Sequence, residues 1–169
     1  MNNNNIIIKT MQEADLDAVL AIQAQAYRPY FHEARTCFAE KLRLYPQGCW
    51  VAWDDMRPAA YLVSHSWSQD QIVALHAPLQ QLPQHPDCYY IHDLSVSPAF
   101  HGKGLGRIMV EKAKECALNI GLKTILLVAV QGSQSFWSKF GFQSLQPPSA
   151  TIKKMLDSYQ DACLMMAVI

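Results

Sequence analysis

The chain lacks any excess of charge. Lysine plus arginine and aspartate plus glutamate each number 14 among 169 residues. No global field therefore draws it to nucleic acid or to an anionic membrane, and a charged ligand must be held locally. Its five cysteines include no C-x-x-C pair and are odd in number. That excludes a disulfide framework and favours reduced thiols in a cytoplasmic setting. No apolar run reaches membrane-spanning length, and the asparagines that separate Met1 from Ile6 are not the apolar core of a signal peptide. Nothing repeats internally. Half of the residues are apolar, enough for one sizeable core, so one domain over 1–169 is expected.

Glycine is also scarce, yet three of the seven glycines fall within residues 102–106. They sit at the centre of the most informative stretch, 89–121. Residues 89–96 form a β-branched and aromatic run that ends at Ser97-Pro98, because proline cannot donate to a ladder. From Leu105, apolar residues recur at helical spacing through Ile108, Met109, Ala113, Cys116 and Ala117 to Ile120, with Gly121 as the C-cap. Between them lies His101-Gly102-Lys103-Gly104-Leu105-Gly106. A strand, a glycine-rich turn and a helix start make an anion site, since the backbone N–H groups converge where the helix dipole is positive. Phosphate is the natural guest. A Walker A loop would need Gly-Lys-Ser/Thr, and a dinucleotide fingerprint would need its third glycine where Arg107 stands. Both are excluded.

The remaining elements follow from pattern. Residues 6–9 read as a strand, and Asp15 reads as the N-cap of a helix with Leu16, Val19, Leu20, Ile22 and Ala26 on one face. An aromatic elbow at 27–31 separates it from a second helix over 33–45, stopped by Pro46-Gln47-Gly48. Runs 49–53 and 59–63 should pair antiparallel across the turn 54–58. Residues 64–87 are polar and proline-containing, either a functional loop or a segment with a short helix. The run 124–130 does not alternate, the mark of a strand covered on both faces. A short helix within 131–140, a polar stretch 143–160 and a last strand 162–169 complete the chain.

Leu94-Ser95-Val96, Pro98, His101, Gly104 and Gly106 resemble the CoA-binding motif of the GNAT N-acetyltransferase family, with His101 where a glutamine or arginine is usual. Phe136-Trp137-Ser138-Lys139-Phe140-Gly141-Phe142 resembles the family's second signature, and the element order agrees throughout. The resemblance implies an α/β (α+β) fold, a mixed and mostly antiparallel sheet of about seven strands flanked by about four helices. It implies acetyl transfer from acetyl-CoA to an amine, directly and with no covalent enzyme intermediate. The amides of His101, Gly102, Lys103, Gly104, Leu105, Gly106 and Arg107 would hold the pyrophosphate, and Leu94, Ser95 and Val96 would pair with the pantetheine arm. Ser133 stands nearest the family's usual asparagine. Trp137 replaces the tyrosine that many relatives carry as general acid, and Ala129 replaces a glutamate found in some. An indole N–H cannot protonate a thiolate, so Trp137 reads as a wall for pantetheine.

His92 and Asp93 are the catalytic candidates. An imidazole titrates near neutrality, and His92 lies on the strand that enters the acyl site, where arylalkylamine acetyltransferases also carry a histidine. Asp93 alternates to the opposite face and reads as a hydrogen-bonding partner unless a bulge reverses it. Tyr27, Tyr30, Phe31 and Glu33 in the elbow, with Trp67 after His65-Ser66, are the expected acceptor site, suited to a small amine through cation–π contact or to a peptide amine. His32, His76 and His85 lack metal-ligand spacing, so no metal is expected. Trp137 and Ala129 also leave a rival reading, a CoA-binding regulatory module without turnover. A homodimer stays open.

Overall fold

The strand at residues 89–96 becomes β4 (Cys88–Val96), the middle of a seven-stranded sheet in the order β1-β2-β3-β4-β5-β7-β6. The computed structural model describes residues 5–169; residues 1–4, the start weighed above against a signal peptide, lie outside the described residues. β1 (Ile6–Thr10), β2 (Cys49–Asp54) and β3 (Arg57–Trp67) pair antiparallel in turn, and β3 pairs antiparallel with β4. β5 (Thr124–Ala129) runs parallel to β4, and β7 (Cys163–Val168) pairs antiparallel with β5 and with the short β6 (Gln143–Ser144). The sheet is thus mixed and mostly antiparallel.

Two irregularities in β4 shape everything that follows. Its register with β3 shifts between Val63↔Asp93 and Ser64↔Ile91, so His92 is an extra, bulged residue. A bulge bends its strand at that point. Pairing with β5 covers only Tyr89 to Ile91, opposite Ile125 to Leu127. Among the described residues, 92–96 therefore keep β3 on one side and have no strand on the other.

Helices cover both faces. α1 (Leu16–Ala26) and α2 (Arg35–Leu44) bury Leu16, Val19, Ile22 and Phe38 against Tyr61 and Val63. α3 (Leu105–Asn119) lays Leu105, Met109 and Ala113 on Ala60, Leu62 and Ile91 from the opposite side. It ends as its sequence predicts: Gly121 has φ +75° and Leu122 N donates to Ala117 O at 3.0 Å. α4 (Gln134–Ser138) follows β5.

Two expectations need correction, and one open alternative is decided. Asp15 stands at the N-cap position of α1, but its side chain makes no capping bond there. It closes a 3₁₀ turn over Glu13–Asp15, accepting from Gln12 N at 2.8 Å, because a carboxylate closing that turn satisfies the preceding amide instead. The stretch 143–160 holds α5 (Ala150–Asp157), one helix more than expected, capped by Ser149 Oγ at 3.2 Å from Ile152 N. Its buried Ile152 and Leu156 carry the helical spacing, which the flanking prolines and serines obscured. Of the two alternatives for 64–87 the loop holds, except that residues 64–67 extend β3. After β3 the rest forms a strap whose Ile72, Val73 and Leu79 are buried with Ile152, Leu156 and Tyr159. The strap is tied to α2 by Glu40, whose carboxylate accepts from Leu79 N at 2.5 Å and Gln80 N at 3.3 Å.

Candidate active site

The gap between β4 and β5 opens into a cavity of about 550 Å³, the size of ordinary ligand sites. At its mouth the glycine-rich turn enters α3. Gly102 and Gly104 have φ of +78° and +80°, the left-handed region that side chains resist. Gly106 is required for another reason: a Cβ there would lie 2.9 Å from the Phe136 ring. The first-turn amides of Leu105, Gly106 and Arg107 have no intrahelical acceptor, so they are left for a ligand or water.

The free edge of β4 continues from that cradle into the cavity. Ser97 N donates to Ala59 O at 2.8 Å, so by alternation the main-chain groups of Leu94 and Val96 face the gap. Their carbonyls confirm the parity: Leu94 O accepts from the Tyr27 hydroxyl at 3.1 Å, and Val96 O accepts from His101 Nε2 at 3.0 Å. The amides of Leu94 and Val96 thus point where an extended ligand would run.

At the inner end the bulge puts His92 and Asp93 on one face of the sheet, the outcome that alternation alone did not give. His92 Nε2 lies 2.6 Å from Glu33 Oε1, both side chains nearly inaccessible. Burial pushes the imidazole below its ordinary value, helped by the Lys41 charge, against the pull of Glu33. Burial also acts on Glu33, but His92, Lys41 and the His76 amide prevail and hold it down at about 2. Asp93 accepts from the Tyr27 and Tyr61 hydroxyls, each at 2.8 Å. There burial wins over those bonds and pushes the carboxyl up to about 7. Two neighbouring residues are therefore moved in opposite directions by the same dry environment.

Most of the expected donor-binding residues meet at this cavity: Leu94, Ser95 and Val96 on one wall, His101, Gly102, Gly104, Leu105 and Gly106 at the mouth, Ser133 and Trp137 opposite. Lys103 and Arg107 do not line it; their charges sit over the rings of Phe100 and Phe140, at 4.8 and 5.5 Å. Trp137 is both wall and core, in edge contact with Phe136 and Phe142. Of the expected acceptor residues, Tyr27, Phe31 and Glu33 line the cavity, whereas Tyr30 and Trp67 do not. Tyr30 is half-exposed and donates to Ser158 O, and Trp67 is core, edge-on to His65. Glu33 is not free to take an acceptor's charge, since both oxygens are engaged within the protein.

Sequence reasoning missed Leu75, Tyr90 and Tyr159, which close the inner end, and Gln131 at the rim. The Gln131 amide spans the cleft: Oε1 accepts from Arg28 N at 2.8 Å and Nε2 donates to Ala26 O at 3.2 Å. Its φ of +53° is a local feature that a sequence does not show. Among the described residues no group of histidine, cysteine and carboxylate side chains is arranged to hold a metal ion.

A mixed sheet parted at its parallel pair, with an anion cradle and an unpaired strand edge at the parting, defines a class of α/β protein. The sequence pattern of the acetyltransferase (GNAT) family matches residues 16–142, more than half of the chain. The chain belongs to that family. In structure it is similar to the loading GNATL domain of CurA from Lyngbya majuscula, with TM-score 0.78 and 12% identity over 98% of each chain. It is similar to the ribosomal-protein-S18-alanine N-acetyltransferase from Escherichia coli, with TM-score 0.66 and 19% identity over 97% of this chain and 94% of that one. It is also similar to the PaiA N-acetyltransferase from Thermoplasma acidophilum in complex with coenzyme A, with TM-score 0.68 and 13% identity over 98% and 99%. At these identities the likeness is one of fold. No curated protein matches the chain in sequence.

Proposed function

We propose that the protein is a one-domain, cytoplasmic acyltransferase that moves an acetyl group directly from acetyl-CoA to the nitrogen of a small amine. The observation that carries the reading is the continuous path from the glycine-rich cradle, along the free amides of Val96 and Leu94, to the buried pair His92 and Asp93. Family membership supports the acyl transfer, and the PaiA structure with coenzyme A supports the donor.

Each residue then has a task. The first-turn amides of α3 hold the donor's diphosphate, and the edge of β4 holds the pantetheine arm as an added strand would. One of the gap-facing amides polarises the thioester carbonyl. The amine nitrogen attacks that carbon, its proton passes to His92, and the C–S bond breaks as the tetrahedral intermediate collapses. Asp93, neutral in part near pH 7, gives its proton to the Tyr27 oxygen once that hydroxyl turns from the carboxyl to donate its own hydrogen to the leaving thiolate. That removes the need for an acidic hydroxyl at Trp137.

The acceptor follows from what the inner end offers. Its walls include Phe31, Leu75, Tyr90, Val128 and Tyr159, and both nearby carboxylates are already bonded inside the protein. No carboxylate is left to pair with a second positive charge, which favours an apolar aryl or alkyl monoamine over a diamine or polyamine. The five free cysteines are in keeping with a reducing compartment.

The test is release of free CoA thiol from acetyl-CoA with a panel of amines. Apolar monoamines are expected to drive turnover, with diamines and short peptides slower. If no amine exceeds the uncatalysed rate while CoA still raises the melting temperature, the protein is a CoA-binding module instead.

A further inference from the structure

Glu33 is held by both its main chain and its side chain, and nothing in the transfer step above uses it. It precedes α2 in the loop after the elbow. The buried side-chain amide of Gln23 grips its main chain from both sides: Glu33 N donates to Gln23 Oε1 at 2.8 Å, and Gln23 Nε2 donates to Glu33 O at 3.0 Å. The strap grips its side chain, because His76 N donates to Oε2 at 3.1 Å from a residue with φ +63°. Only Oε1 is left, and His92 Nε2 lies 2.6 Å from it.

We propose that Glu33 is a positioning residue: its carboxylate fixes the His92 ring with the proton on Nε2, so that Nδ1 presents a bare lone pair to the acceptor amine. The inference rests on His92 being the base, and it goes beyond that reading by naming the group that selects the tautomer.

An ionised carboxylate can only accept, so the nitrogen facing it carries the hydrogen. A neutral imidazole has one N–H, so Nδ1 has none. Nδ1 is buried and has no partner among the described residues, although His92 lines the cavity. A buried nitrogen without a partner is costly unless something arrives to use it. Glu33 does not itself serve as the base, because a carboxylate held near 2 has little affinity for the amine's proton.

Other groups around the ring leave this arrangement in place. On α2, Lys41 is fully buried with its Nζ 3.4 Å from Cys37 O, and its charge favours the anion of Glu33 and the neutral form of His92. On β3, the His65 ring lies 6.4 Å away between centroids, and burial pushes it down to about 3, so it stays neutral. On β4, Asp93 is bonded to Tyr27 and Tyr61, and the buried Tyr90 stacks on His65.

Nitrogen-15 NMR of labelled protein reads the tautomer directly, with or without a working acceptor. The wild-type His92 is expected as the Nε2–H form. Glu33→Gln, whose amide can also donate, is expected to shift it toward Nδ1–H and to lower the imidazole pKa through loss of the anion. With an active amine, Glu33→Gln is expected to reduce kcat at least roughly tenfold with the KM for acetyl-CoA nearly unchanged, and Glu33→Asp to recover part of the loss. Retained stabilisation by CoA shows that the variants fold. A wild-type Nδ1–H tautomer overturns the proposal, as does a Glu33→Gln protein with the wild-type tautomer and pH–rate profile. Absence of turnover in the wild type would sink the transferase reading alone, and the tautomer would still decide this one.

Discussion

Burial treats His92 and Asp93 oppositely, and this sets the expected pH behaviour. In the proposed mechanism the base is competent once pH exceeds the lowered imidazole value, and the carboxyl remains a proton source until it ionises at about 7. A plot of kcat/KM against pH should therefore be bell-shaped, with its top on the acid side of neutrality. His92→Gln should remove the acid limb, and Asp93→Asn the alkaline one. Stability carries a separate signature. The folded state keeps the Asp93 proton up to about 7, whereas the unfolded carboxyl loses it near its ordinary value. Wild-type stability should fall across that window relative to Asp93→Asn, and the gap should stay constant above it. Glu33 has the reverse sign: held at about 2, its contribution is present above the ordinary glutamate value and is lost as pH falls through the acid range. Urea midpoints measured from acid to neutral pH would reveal both trends. The sequence showed His92 by its place on a strand. It did not show Glu33 beside it, since that contact joins residues 59 apart across the elbow, nor the bulge that turns Asp93 inward.

Elements with local signals were legible, and those held by distant contacts were not. α3 carries its own start, face and stop in its residues, and it forms where the pattern places it. α5 and the strap depend on each other: Tyr159 donates its hydroxyl to Val73 O, and Leu75 reaches the cavity only because the segment folds back on α2. The strap has no short-range mark, and the serine cap and apolar spacing of α5 are obscured by the prolines and serines around them. Gly106 shows how a motif position can serve packing. In Gly106→Ala the new methyl meets the Phe136 ring, an overpacking that should cost about 1–3 kcal/mol. Gly104→Ala meets no atom within van der Waals range, so its cost should be about 1–2 kcal/mol, from the left-handed backbone alone. Denaturant titration of both variants checks these values; no loss in Gly106→Ala would mean that the α3–α4 contact gives way freely.

The molecule as a whole has zero formal charge, so a polyanionic donor is recruited by the cradle and by little else. CoA at about a hundredfold excess over its Kd should stabilise the fold by about 2.7 kcal/mol. Hydrogen exchange should localise that protection to the Leu94 and Val96 amides and the first turn of α3, where no protein acceptor competes. Uniform slowing with no extra effect at those sites would place the ligand elsewhere.

Gln131 acts as a fastening. The rims that the sheet leaves apart are joined again by one primary amide, a crossbar rather than a wall. Gln131→Ala would unhook it without touching the sheet beneath, and thioesters bulkier than acetyl should then compete better against acetyl-CoA. How selective the protein is for a short acyl chain would on this view hang on a single detachable side chain.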